Sequence, residues 1–584
     1  MWTHRWGQVT RAPQLECLHG EATSPSALDR SNDNPLYSIY PLIGQTQSFA
    51  SGESAVSLRK TDSKGDVNPQ QQAYPLRRQE LVEDNLIRDA RALREQYQAD
   101  PHRPAYHFLP PEGVCHPADP QACVFWQGRY HFLYGCQIDG VGVWAHASSV
   151  DLLHWRHHPV PLGIAPEDPE EQVYAGGSLI NKEGVPTIIY HGTNAGTCIA
   201  TSADDELIHW HKHPANPIIR EPKEGDADFG VYHVWDVCGW VDGETYYAIT
   251  GNKPYSGDTD GDIAWLFKSD DLTNWEYVHP FYKSERRWTD DDEDCSCADF
   301  FPLGNKHVLM FISHTQGLQY YIGRYHDERF YPEQHGRMNW PGGPCYAQES
   351  LADDKGRRIF WAWVCESVSM DVQRERGWSG VMSLPRVLSL AEDGTLLIES
   401  AEELKALRLN HRQYEDIQLD ADSELILDDV DGACLELMLE VEPPTAGVFG
   451  LKVRCAPDGQ EQTVITFDRV TGELSIDTSR STLSDQVAQP WPGPYYGYFV
   501  ERPEGRADIR VQQAPLTLLP GEPLRLQIFL DRSMLEIFAN GRQCITQRIY
   551  PTRSDSLGVS LFSRGAHSVV KALDAWDMAA TNPW

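Results

Sequence analysis

The chain has 584 residues, with 50 Lys and Arg against 85 Asp and Glu, a formal net charge of −35. A chain this acidic repels phosphate backbones and anionic membrane surfaces, so neither nucleic acid nor a membrane is expected as a partner. Hydrophobic residues at 41% support a sizeable core, and no apolar run approaches the ~18 residues of a membrane span. The N-terminal sequence MWTHRWGQVTRAPQLE lacks the apolar stretch of an export signal, and thirteen Cys suit free thiols, so a cytoplasmic location is expected.

Residues 1–78 are rich in Ser, Gln, Asn and Pro without apolar periodicity, and read as a disordered or loosely attached extension. A helical lead-in over 79–105 follows. Leu81, Leu86, Ile87, Ala90, Leu93 and Tyr97 recur at helical spacing, and Asp100-Pro101 stops the helix.

From Tyr106 the chain turns to short strands. One unit, a strand, a glycine turn and an aromatic-rich strand, recurs five times. Its copies are DPQACVFWQGRYHFLYG, GGSLINKEGVPTIIYHG, DVCGWVDGETYYAITG, CADFFPLGNKHVLMFISH and QESLADDKGRRIFWAWV. The turn glycines are Gly128, Gly184, Gly243, Gly304 and Gly356. After the first three copies comes a second element, a Ser-Asp segment ending in Trp155, Trp210 or Trp275. Self-similarity at this period, in strands and turns, predicts a five-bladed β-propeller over 106–390. Its innermost strands are expected to begin near Asp119, Gly177, Asp236, Cys297 and Glu349. Residues 391–412 read as a linker, with a helical turn near Ala401–Leu409. The alternating strands of 413–584, with turns at Thr471-Gly472 and Asn540-Gly541, predict a β-sandwich. The fold class is therefore all-β, a propeller followed by a sandwich.

The first strand of each propeller blade lines the central channel, so residues at the starts of those strands converge on one mouth. Asp119 and Asp236 hold such positions, blade four begins just after Asp290-Asp291-Asp292-Glu293-Asp294, and blade five offers Glu349. Crowded carboxylates repel and take different pKa values. That division into nucleophile and proton donor is what glycosidic cleavage needs. Trp144 and Trp235 serve either as core or as sugar platforms, and Gln137 is a further candidate sugar contact. Cys115, His116, Cys123, Cys136, Cys295 and Cys297 lack the C-x2-C spacing of zinc sites, and the acidic run lacks the glycine and ligand spacing of a calcium loop. No metal is therefore expected.

These segments resemble glycoside hydrolase family 32, the β-fructosidases, from about Asp100 to the C-terminus. Tyr106–Pro111 is similar to the family's entry segment, and HPADPQACVFWQGRYHFLYG to its Asn-Asp-Pro-Asn-Gly motif. Trp144–Trp155 is similar to its Trp-Gly-His-Ala segment, and Gly377–Leu390 and Leu530–Gly541 to its end-of-propeller and sandwich segments. The resemblance implies Asp119 as nucleophile and Asp236 as transition-state stabiliser. It also implies a retaining exo-hydrolase of a terminal furanoside, above all β-fructofuranoside, with a carbohydrate substrate and no cofactor.

Three positions depart from the pattern. Ala118 stands for the family Asn, Trp235-Asp236-Val237 for Arg-Asp-Pro, and Ser296-Cys297-Ala298-Asp299 for Glu-Cys-Pro-Asp. The acid/base Glu is thus displaced. Strand alternation puts Asp294 on the face of Ser296, whereas Glu293 reaches further, so both are candidates. An arabinofuranosidase and a non-catalytic sugar-binding protein are the alternatives. Deleting 1–78 is expected to leave activity and the thermal midpoint almost unchanged, measured by assay and melting of the truncated protein.

Overall fold

The computed structural model describes residues 85–138, 140–251, 263–289, 295–313, 317–489 and 508–582. The extension over 1–78, the start of the lead-in and both acid/base candidates, Glu293 and Asp294, lie outside them. A helix runs Asn85–Ala99 and stops before Pro101. Tyr97 is its buried anchor, donating from its hydroxyl to the Gly377 carbonyl at 2.6 Å, whereas Leu93 faces solvent. No helix among the described residues is long and apolar enough to cross a membrane.

Five antiparallel sheets follow, each with its first four strands in sequential order, and in the second sheet a short fifth strand, Ile219–Arg220, pairs with the third. Their innermost strands are Pro120–Trp126, Val173–Ile180, Trp235–Asp242, Ser296–Leu303 and Cys345–Ala352. Each innermost strand packs on the next and the fifth packs on the first, closing the ring. Blades one, three and four begin within one residue of the expected positions. Blades two and five begin four residues earlier than Gly177 and Glu349, because their strands end at Ile180 and Ala352, four residues before the turn glycine rather than one or two. Glu349 is consequently a mid-strand residue.

The repeated Ser-Asp element is a capped turn. Asp151 Oδ1 accepts from the Leu153 and His154 amides, Asp204 from those of Glu206, Ile208 and His209, and Asp271 from those of Thr273 and Asn274. These carboxylates hold Leu152, Leu207 and Leu272 in the left-handed region, at φ 65°, 52° and 66°. The tryptophan that follows leads into an outer strand, and Trp210 and Trp275 donate their indole N–H back to the leucine carbonyl.

Within 391–412, read as a linker, Leu396–Ser400 is the outer strand of blade five and Arg408–Leu419 opens the sandwich. Only Glu402–Leu407, a 3-10 turn, connects them. Leu396 and Ile398 are buried in the propeller core, which recruits a stretch too short to show a periodic pattern. The sandwich stacks two six-stranded sheets over an aliphatic core that includes Leu437, Leu451, Ile465, Ile528, Ile537 and Leu573. Asn540 and Gly541 turn one of its hairpins in the left-handed region.

A buried polar knot joins the two domains. Asp531 of the sandwich accepts from the backbone amides of Ala105, Tyr106 and His107 at 2.6 to 2.8 Å, and from His107 Nδ1 at 2.9 Å. Glu536, five residues on, accepts from the Leu384 amide at 2.8 Å and from Arg386 Nη2 at 2.9 Å, and lies 3.3 Å from His107 Nε2. Burial opposes charge at all three acid–base groups. The mutual contacts win, holding Asp531 and Glu536 below the usual carboxylate range and His107 above the usual imidazole value. The carboxylates' contribution to stability is therefore present at neutral pH and lost as pH falls through the acid range. The contribution of His107 is full below its unfolded value and lost as pH rises through its raised one. Glu536→Gln leaves Arg386 buried without its counter-charge and is expected to cost about 3–5 kcal/mol, measured by denaturant unfolding at neutral pH.

Candidate active site

The innermost strands meet in parallel register. The Gly176 amide donates to Gln121 Oε1 and the Ser178 hydroxyl to the Cys123 carbonyl, both at an offset of 55 residues. The Cys297 amide donates to Asp236 and the Phe300 amide to the Cys238 sulfur, at offsets of 61 and 62. Gln348 donates to the Cys297 carbonyl and Ser350 to the Asp299 carboxylate, both at 51. A near-constant difference, not a constant sum, is the mark of parallel neighbours. The strands thus enter the channel from one end, and Asp119, Asp236 and Ser296 stand at that same end.

Asp236 sits at a bulge in its strand, with φ +21° and the pairing register shifted between Trp235 and Val237. A bulge re-aims a side chain, and here Asp236 Oδ2 reaches blade four, accepting from the Cys297 amide at 2.9 Å with the Cys297 thiol 3.6 Å away. Cys297 lies in its own bulge, at φ +47°. Gly251 makes room for this contact, since a Cβ there would come within 2.1 Å of the Cys295 carbonyl oxygen. Asp119 is buried just above the innermost strand of blade one, with its carbonyl accepting from the Gly135 amide at 2.9 Å. Gln121, which the sequence reading passed over, and Cys297, read there only as a blade start and a free thiol, are site-building residues. Gln121 lies two residues below Asp119, a spacing that was available as a signal.

Glu349 belongs to a different level. It shares a cavity with Cys123, four residues below Asp119 and so roughly 13 Å down the channel at ~3.3 Å per residue. There it lines a cavity of about 340 Å³ with Asp299, Ser350, Arg358 and Trp240. Arg358 donates to Ser350 Oγ at 2.7 Å and to Asp299 Oδ1 at 3.1 Å. Burial, then the Asp299 charge, push Glu349 well above the carboxylate range; burial also raises Asp299 against the pull of Arg358. Glu349 is therefore set apart from the Asp119 mouth and shares the lower chamber with a buried ion pair.

Of the two candidate tryptophans, Trp144 is core. It is 1% exposed, clustered with Leu133, Leu162 and Val173, and donates its indole N–H to the Tyr174 carbonyl at 3.1 Å. Trp235 is buried beside Asp236, with ring centroids 4.6 Å from His191 and 5.6 Å from Tyr174, so an aromatic group occupies the place of the family Arg. Gln137 is half-buried near the end of the second strand of blade one. His116 packs edge-on against Trp363 at 4.8 Å, and burial pushes its pKa down to about 3, so the imidazole is neutral. Among the described residues no three His, Cys, Asp or Glu side chains gather as metal ligands.

Comparison with known proteins matches residues 107–400 to the N-terminal domain of glycosyl hydrolases family 32 and 403–577 to the family's C-terminal domain. The chain belongs to glycosyl hydrolase family 32. Similar proteins include a fructan 1-exohydrolase of Aegilops tauschii, 28% identical over 82% of this chain and 88% of that protein. A sucrose-6-phosphate hydrolase of Zymomonas mobilis is also 28% identical, over 82% and 93%. In fold, the chain is similar to the crystal structure of fructan 1-exohydrolase IIa from Cichorium intybus, with TM-score 0.70, 24% identity and coverage of 82% and 98%. An exo-inulinase of Aspergillus awamori gives TM-score 0.66, 20% identity and coverage of 83% and 99%. In this family 32 chain, Asp119→Asn is expected to lower turnover by several orders of magnitude with an unchanged fold, since an amide cannot form the glycosyl bond. Single-turnover assays and circular dichroism check it.

Proposed function

We propose that this chain is a retaining, exo-acting glycoside hydrolase that releases a terminal β-fructofuranosyl unit from sucrose or fructans. The observation that carries the reading is the parallel register of the innermost strands, which delivers Asp119 and Asp236 to one mouth. Family membership and relatives named as fructan exohydrolase and sucrose-6-phosphate hydrolase support the substrate class.

Asp119 attacks the anomeric carbon, and the bond to the leaving oxygen breaks as that oxygen takes a proton. Asp236 stabilises the oxocarbenium-like transition state through the ring hydroxyls, and the Cys297 amide keeps it aimed. Water then cleaves the glycosyl bond to Asp119 and regenerates the carboxylate. No cofactor takes part in these steps. Ser296, at the place of the family Glu, carries a hydroxyl too weakly acidic to protonate a leaving group at neutral pH. The proton donor in this proposal is Asp294, with Glu293 as the alternative, immediately ahead of the blade-four strand. The Trp235 cluster in place of the family Arg gives the arabinofuranoside reading its standing. Rates on sucrose, inulin, levan and arabinan oligomers separate the two, and no turnover of any of them returns the site to sugar binding alone.

A general acid matters most for poor leaving groups. Asp294→Ala is therefore expected to slow sucrose or fructan hydrolysis far more than that of an activated aryl fructoside, with azide restoring part of the deglycosylation rate. Glu293→Ala is expected to leave that ratio near wild type. The reverse result assigns the acid to Glu293.

A further inference from the structure

Blade five reaches the mouth by a second route. Its second strand, Arg358–Val364, runs antiparallel to the innermost one, pairing Trp363 with Tyr346 and Val364 with Cys345, so it climbs back to the end where Asp119 stands. Cys365 and Glu366 follow directly, and the Cys365 amide is tied to the Pro344 carbonyl at 2.9 Å. Trp363 packs on His116, three residues ahead of Asp119. The Cys365 thiol is pushed up first by burial, then by the charge of Asp119, with Cys345 and Glu366 adding to it, which puts both carboxylates in its surroundings.

Glu366 is 6% exposed and is held from the sandwich side. Its Oε2 accepts from Arg548 Nη2 at 2.7 Å and from the Tyr550 hydroxyl at 2.5 Å. An arginine that served only to neutralise a buried glutamate would close over both oxygens with its planar fork. Arg548 does not. Its Nη2 also donates to Ser533 Oγ at 3.1 Å, its Nη1 faces the Met534 sulfur at 3.4 Å, and its Nε is buried without a partner among the described residues. Glu366 Oε1 is likewise buried and has no hydrogen-bond partner among the described residues. A buried carboxylate oxygen without a donor is costly and uncommon, and this one follows the strand that climbs to the Asp119 end of the channel.

We propose that Glu366 is a sugar-binding residue of this site, its Oε1 accepting a hydroxyl of the bound furanosyl unit while Arg548 and Tyr550 fix its Oε2. The inference rests on the glycosidase reading, because a polyol is the donor it requires. It also gives the sandwich a part in substrate recognition, since both residues that orient Glu366 come from that domain.

The test pairs Glu366→Leu with Arg548→Met in one protein, which removes both buried charges and keeps the volume, so that the fold survives. Thermal melting, kcat/KM on sucrose and the inhibition constant of fructose are measured on this variant and on wild type. The expected result is a melting midpoint near wild type with fructose binding weakened about 10–100-fold, the range of a lost hydrogen bond to a charged group, and a similar fall in kcat/KM. A folded double variant with kcat/KM and fructose inhibition within about twofold of wild type overturns the proposal and leaves the pair as a domain tie. If the double variant does not fold, Glu366→Gln decides by the same fructose constant: a rise of about fivefold or more supports the contact, and no change overturns it. A wild-type protein that neither hydrolyses a fructoside nor is bound by fructose defeats the glycosidase reading itself, and Glu366 with it.

Discussion

The site depends on five innermost strands running parallel around one channel, joined by side chains that cross from blade to blade. Outer strands can lengthen, shorten or gain a fifth member, as in blade two, without moving the mouth. The inner ring has no such freedom. Gln121, Asp236, Cys297 and Gln348 each spend a polar group on holding the next blade at a set height. Asp236 shows the economy of this arrangement, because the amide that seats its carboxylate also anchors blade four. Two consecutive bulges, with Asp236 and Cys297 in left-handed conformations, are the local strain that this contact requires.

A second constraint comes from the sandwich. Asp531 and Glu536 reach across the domain boundary to hold the chain entering the propeller, at Ala105–His107, and the chain closing it, at Leu384 and Arg386. Blade five, which closes the ring against blade one, is thus fastened from outside. The same sandwich edge supplies Arg548 and Tyr550 to Glu366. Domain packing and the geometry of the mouth are for this reason coupled, and a change in one is felt in the other through buried charges that have no solvent to screen them.

The channel separates its carboxylates by depth. Asp119 and Asp236 stand at the mouth, while Asp299 and Glu349 stand in a lower chamber where burial raises both and Arg358 with Ser350 partly offsets the cost. Burial alone therefore does not mark the reactive groups in this fold. What distinguishes Asp236 from Glu349 is height in the ring, and height is a property of strand register.

The sequence by itself determined the blade repeat, the sandwich and two carboxylates at the mouth. Turn glycines, capped Ser-Asp turns and alternating strands are local features whose physics is complete within ten to twenty residues. That is why Asp119 and Asp236 were legible, and why Asn540-Gly541 was read as a turn. Only the tertiary structure decided where each innermost strand begins above its turn, and with it that Glu349 lies in the lower chamber. It also decided that Trp144 is core, that Leu396–Ser400 completes blade five, and that Glu366 is held open on one oxygen by a domain nearly two hundred residues away. These outcomes turn on contacts between residues distant in the chain, where a shift of a few residues along a strand changes the side chain's neighbours without altering any local pattern.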